Sequence, residues 1–184
     1  MIPEDVAARL TAPGGAPSLV VGGRVDAAVL IPLYWDDRGP VAVFTERAAD
    51  LRKHAGEISF PGGRQDPGET LLETALREAE EEIGLPRGEV TVLGGLPPMG
   101  TFVSNFRIHP YVGRIPAGLT WTPSVREVAE VLEFPLAELR AVHRSERLWR
   151  KGVPIRTSTY TLDGHLIWGA TARILHDLLV RLAD

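Results

Sequence analysis

The chain has 184 residues, 24 Asp and Glu against 20 Lys and Arg, a net charge of −4 and no cysteine. This length suits one domain that buries a core without disulfides or a structural metal, and the missing thiols exclude zinc fingers, cysteine nucleophiles and disulfide scaffolds. The acidic balance gives no overall basic field for nucleic acid or an anionic membrane, so neither is an expected partner.

Met1–Leu10 reads as a short amphipathic helix with no secretory pattern. The longest apolar run, Ala27–Trp35, is too short to span a bilayer, so the default expectation is a soluble cytoplasmic protein. A Gly/Pro-rich connector, Thr11–Ser18, is followed by β-rich runs at Val25–Trp35 and Val41–Thr45 around the turn "DDRG". An irregular basic stretch then leads to a short strand, Ile58–Phe60, and to the turn-dense "PGGRQDPGE". A helix is predicted from Glu69 to Ile83, stopped by Gly84. Strands are expected at Val90–Leu93, Thr101–Ser104, Ile108–Arg114 and Glu127–Phe134, and a short helix at Pro135 in "PLAELRAV". A hairpin around "DG" joins Pro154–Leu162 to His165–Trp168, and Ala170–Leu182 forms the last helix. The pattern predicts an α/β (α+β) fold, a mixed sheet with helices on its faces.

On the helix Glu69–Ile83, Leu72, Ala75, Leu76, Ala79 and Ile83 form one apolar stripe at about 100° per residue. Glu78, Glu81 and Glu82 share an adjacent arc. Such a run is either a solvated acidic face or, because oxygen-only donors suit hard ions, a Mg²⁺ or Mn²⁺ site. Gly62 and Gly63 precede the helix, where backbone can approach a ligand closely and N–H groups can meet an anion. Arg77, between the two groups of carboxylates, is placed to pair with one of them.

Gly63, Glu69, Arg77, Glu78, Glu81, Glu82, Gly84 and Leu85 stand at the spacing G-x5-E-x7-R-E-U-x-E-E-x-G-U. This resembles the signature of the Nudix hydrolases, with Ala79 in place of a bulkier aliphatic. Thr45-Glu46-Arg47-Ala48, Arg52, Gly56 and Phe60-Pro61-Gly62-Gly63 resemble the motif of the coenzyme A pyrophosphatase branch, with Val43-Phe44 in place of two leucines. The late "IWGATARIL" is similar to that branch as well. The resemblance implies one Nudix domain over residues 1–184, an α/β/α sandwich, with the signature box at 63–85 and the branch motif at 43–63. It implies Mg²⁺- or Mn²⁺-dependent cleavage of the diphosphate of coenzyme A, a small-molecule partner, to 3′,5′-ADP and 4′-phosphopantetheine or its acylated form. It makes Glu78 and Glu82 the firmer metal ligands, Glu81 a ligand or a base acting through water, and Glu69 and Arg77 orienting groups. Glu127 and Glu130 are the further candidates for general base, and Arg47 and Arg52 for phosphate binding; Lys53 and His54 fit a solvated loop equally well. Another Nudix activity, on ADP-ribose, NADH or an oxidised nucleotide, and a non-catalytic nucleotide-binding module are the alternatives. His109, His143, His165 and His176 show no metal-ligand spacing.

Overall fold

The β-rich run after the connector becomes one long strand, β1 (Val25–Asp36), which turns into β2 (Gly39–Arg47) and pairs with it antiparallel from Leu33↔Ala42 to Asp36↔Gly39. The computed structural model describes residues 3–12, 25–48, 56–101, 105–150 and 153–183. Before β1 stands α1 (Pro3–Ala7), shorter than the helix expected over Met1–Leu10. Two short strands, β3 (Ile58–Ser59) and β4 (Gly62–Arg64), lead to helix α2 (Leu71–Ile83). After a 3₁₀ turn at Arg87–Glu89 come β5 (Thr91–Gly95), β6 (Met99–Gly100), β7 (Phe106–Arg114), β8 (Val128–Pro135) and α3 (Leu136–Ala141). The chain ends with β9 (His143–Arg150), β10 (Val153–Leu162), β11 (His165–Ile167) and α4 (Gly169–Arg181).

The main sheet runs β3-β2-β1-β7-β5, with β4 added to β1, β6 to β7 and β8 to β2. It is mixed, because β1 and β7 pair parallel from Val25↔Phe106 to Leu33↔Arg114 while the other pairs are antiparallel. Strand periodicity then divides the side chains between two cores. On one face Ala28, Leu30 and Val43 pack with Ala75, Ala79 and Ile83 of α2. On the other Ile31, Phe44, Phe60 and Phe134 pack with Leu139 of α3 and Ile174, Leu175 and Leu178 of α4. Phe44 and Phe60 stack there at 4.5 Å. The result is the expected α/β sandwich around a mixed sheet.

A second sheet, β11-β10-β9, flanks the α4 side. Its β10–β11 turn is the expected "DG" hairpin, with Asp163 and Gly164 both left-handed (φ 51° and 83°). Two strands were not expected. Gly62–Arg64, read as turn, pairs with β1 as β4. The polar stretch His143–Arg150, not expected to be a strand, pairs with β10 along its whole length. Most of the expected strand Thr101–Ser104 lies outside the described residues, and β6 forms just before it.

Candidate active site

Helix α2 starts where the sequence supplies a complete capping box. The Thr70 hydroxyl accepts from the Glu73 N–H, and the Glu73 carboxylate accepts from the Thr70 N–H at 2.7 Å. At the other end Gly84 takes the left-handed conformation (φ 70°) and a Cβ there would meet Thr122. The loop between β7 and β8 is fastened to this end: the Thr122 N–H donates to the Ile83 carbonyl and the Ser124 N–H to the Glu82 carbonyl at 2.9 Å. The start of α2 is thereby capped locally and its end is fixed against the loop between β7 and β8.

Strand β4 lies flat between β1 and α2. A Cβ on Gly62 would strike the backbone of Ala28 and Val29, and one on Gly63 would land on the Glu78 carboxylate. Gly62 is therefore required for β4 to lie this close to β1, and Gly63 for α2 to approach β4. Within that contact Glu82, 4% exposed, accepts the Gly62 N–H at 3.2 Å. Burial pushes its carboxyl up to about 8, with Glu78 and Glu127 adding repulsion while the Gly62 N–H and Arg47 oppose. Burial likewise raises Glu78, against the pull of Arg77. Holding Glu82 ionised here costs about 5 kcal/mol without a further cation.

Arg77 organises the outer side of this arrangement. Its Nε donates to Glu69 at 2.7 Å, its Nη1 to Glu78 at 2.9 Å and to Glu81 at 3.2 Å, and its Nη2 to Glu69 and the Arg64 carbonyl. The Arg77 hydrogen bonds hold Glu69 down at about 2, with help from the Thr74 hydroxyl and the Asp66 N–H. Arg77 thus ties the loop before α2 to the helix and turns Glu78 towards Gly63.

The candidate residues divide accordingly. Glu78 and Glu82 converge on Gly62 and Gly63; Glu81 stays at the solvent edge, its side chain 60% exposed. The three carboxylates do not close into a group with ligand atoms within 4.8 Å of one another. Arg47, at the end of β2, acts electrostatically on Glu82, and its buried Nε has no hydrogen-bond partner among the described residues. Glu127 lies near both carboxylates, since its charge raises Glu78 and Glu82, and its carbonyl accepts from Ala48 beside Arg47. Glu130 is elsewhere: it pairs in register with Glu46 and gathers with Glu46 and His165 on the opposite face of the sheet. The gathering of these two Glu residues near His165 had no local signal in the sequence. Arg52, Lys53 and His54 lie outside the described residues.

The donor chemistry fits a hard divalent cation. Glu78 and Glu82 offer only oxygen, and both hold protons more tightly than ordinary carboxyls. Burying two carboxylates together is unfavourable unless a proton or a metal accompanies them.

Residues 24–153 match the family described as "NUDIX domain". The chain is 43% identical over 161 residues to an uncharacterized Nudix hydrolase, NudL, of Pectobacterium atrosepticum, covering 86% of this chain and 83% of that protein. It is 41% identical over 155 residues to the NudL protein of Photorhabdus laumondii, covering 83% and 82%. Among solved structures, the Nudix hydrolase RenU of M. smegmatis superimposes with a TM-score of 0.55 at 23% identity, over 72% of this chain and 81% of that one. DR0079 of Deinococcus radiodurans does so with 0.55 at 16% identity, over 87% and 85%.

Proposed function

The chain belongs to the Nudix family and is a Nudix hydrolase, and on that premise we propose that it cleaves the diphosphate of coenzyme A or its acyl derivatives with Mg²⁺ or Mn²⁺. The observation that carries the reading is the convergence of Glu78 and Glu82 on the bare backbone of Gly62 and Gly63, with Arg77 behind them and Arg47 alongside. Such a site combines a cation-demanding pocket with groups suited to phosphate.

Glu78 and Glu82 would hold the metal, with Glu81 reaching it from the solvent edge. Bound there, a divalent ion offsets phosphate charge and lowers the pKa of water. The residues of this chain do the rest. Gly62 and Gly63 let Glu82 and Glu78 lie against the backbone of β4. Arg47 supplies a planar cation to phosphate oxygens, its buried Nε gaining the acceptor it lacks. Arg52 is assigned the same task from the motif alone. Arg77 keeps Glu78 turned inward by neutralising part of the carboxylate cluster. Glu127, on the loop fastened to the end of α2, is the base we favour for taking the proton of the attacking water. Glu130, on the far face, is not part of this assignment.

Support for coenzyme A in particular comes from the branch motif at residues 43–63, several of whose positions surround the site: Arg47 near Glu82, and Gly62 and Gly63 beneath Glu78 and Glu82. The same reading takes residues 1–184 as one domain acting in the cytoplasm on a small molecule, with neither nucleic acid nor membrane as partner. No helix among the described residues is long and apolar enough to cross a membrane.

Incubating the purified protein and Mg²⁺ with coenzyme A, ADP-ribose, NADH and a dinucleoside polyphosphate tests the assignment. Release of 3′,5′-ADP from coenzyme A as the preferred reaction is expected. Consumption of ADP-ribose or NADH with coenzyme A left intact would overturn the substrate, and inertness towards all four would favour a nucleotide-binding module.

A further inference from the structure

The hairpin side of the sheet carries a cluster that the mechanism above does not use. Glu46 of β2 and Glu130 of β8 face each other in register. His165, the first residue after the "DG" turn, brings its Nδ1 to 3.2 Å from Glu46, and one ligand atom from each of the three residues lies within 4.8 Å of the others. The His165 ring is also set against Phe134, with ring centres 5.9 Å apart. Two carboxylates directly opposite on neighbouring strands repel one another, and the His165 imidazole gives Glu46 a partner beside Glu130.

What lies on the other side of this cluster matters more. The β2–β8 register shifts between Glu46 and Arg47, where Val128 rather than Ala129 pairs with Arg47. The extra residue, Ala129, stands on β8 opposite the end of β2, and a bulge of this kind increases the local twist of the pair. Consecutive residues here serve opposite faces: Glu46 meets His165, and Arg47 acts on Glu82. The backbone around Arg47 is held by its N–H to the Glu57 carbonyl, by Gly56 to its own carbonyl, and by Ala48 to Glu127. Those bonds fix where Arg47 sits along the strand. On the back of the same strand end, the adjacent Glu46 side chain is held by His165.

We propose that His165 is a positioning residue: by holding Glu46, beside Glu130, behind the sheet it fixes the end of β2 that presents the Arg47 guanidinium to the substrate diphosphate. The inference rests on the reading of Arg47 as a phosphate-binding side chain, and it adds a residue from a different sheet to that site. It also gives a task to a histidine that no motif singled out.

Steady-state kinetics with coenzyme A and with ADP-ribose, on the full chain, test it. His165→Gln is expected to raise KM about tenfold while kcat stays within about threefold. Adding Glu130→Gln, which removes one of the two facing charges, is expected to bring KM back to about threefold above wild type. In an Arg47→Gln background the His165 substitution adds no further rise. An unchanged KM in His165→Gln, or a penalty that persists in full without Arg47, overturns the proposal. Should His165→Gln alone fail to fold, the Glu130→Gln/His165→Gln protein carries the same comparison, and a KM equal to wild type then overturns it. A ¹⁵N spectrum of the arginine side chains gives a readout independent of substrate. His165→Gln is expected to shift the Arg47 Nε resonance, and an unmoved resonance contradicts the positioning role even if neither nucleotide proves to be cleaved.

Discussion

Glu82 is the residue in which the tension of the site is greatest. Its carboxyl is pushed up to about 8 by burial, against an ordinary value of 4.5, and Glu78 is raised by the same cause. Between those two pH values the folded, metal-free chain binds more protons than the unfolded chain, so stability falls as pH rises from about 4.5 to 8. In the presence of a chelator the urea midpoint is therefore expected to be higher at pH 6 than at pH 8.5, and Glu82→Gln is expected to flatten that slope. An identical slope in the two proteins would show that Glu82 ionises freely. Spacing on the helix was enough to group Glu78, Glu81 and Glu82, but not to rank them. The ranking comes from Gly62 and Gly63, whose bare backbone admits two of the carboxylates and leaves Glu81 outside. Glu127 and Glu130 were equally plausible in sequence for a related reason. Their faces depend on where β8 begins and on a bulge opposite Arg47, neither of which has a local signature.

At the scale of elements, α2 is the part that the chain specifies most completely. Its apolar stripe, its capping box at Thr70 and Glu73 and its glycine stop at Gly84 all agree on one helix. Thr70→Ala removes a cap whose loss typically costs about 1 kcal/mol, a fall in thermal midpoint of about 2–4 °C for a chain of this size. Thermal unfolding of the variant measures it, and an unchanged midpoint would mean that tertiary contacts alone hold the helix start. The "DG" hairpin was legible for a comparable reason, since both turn residues must adopt positive φ. Strands β4 and β9 were not. Gly62 and Gly63 carry turn propensity, and only the neighbouring β1 makes them a strand. His143–Arg150 has no alternation of apolar and polar residues; its pairing partner, β10, supplies what its own pattern lacks.

Over the whole molecule, the sheet separates two tasks. One face holds α2 and the carboxylates of the candidate site; the other holds α3, α4 and the small sheet, with His165 touching the strand that presents Arg47. The net charge of −4 fits a polyanionic substrate in this arrangement, because part of the acidic excess sits where a cation converts it into a surface for phosphate. The mixed sheet with flanking helices was legible from the order of periodic segments, whereas the assembly of Arg47, Gly62, Gly63, Glu78, Glu82 and Glu127 depends on contacts between segments far apart in the chain. The central claim is that Glu82, with Glu78, holds the ion on which hydrolysis depends. It is tested most directly by measuring kcat/KM against Mg²⁺ concentration for wild type and Glu82→Gln, on whichever nucleotide diphosphate the wild-type protein cleaves best. The account predicts a loss of about a hundredfold or more at every Mg²⁺ concentration up to saturation; a Glu82→Gln protein with undiminished, Mg²⁺-dependent activity would contradict it.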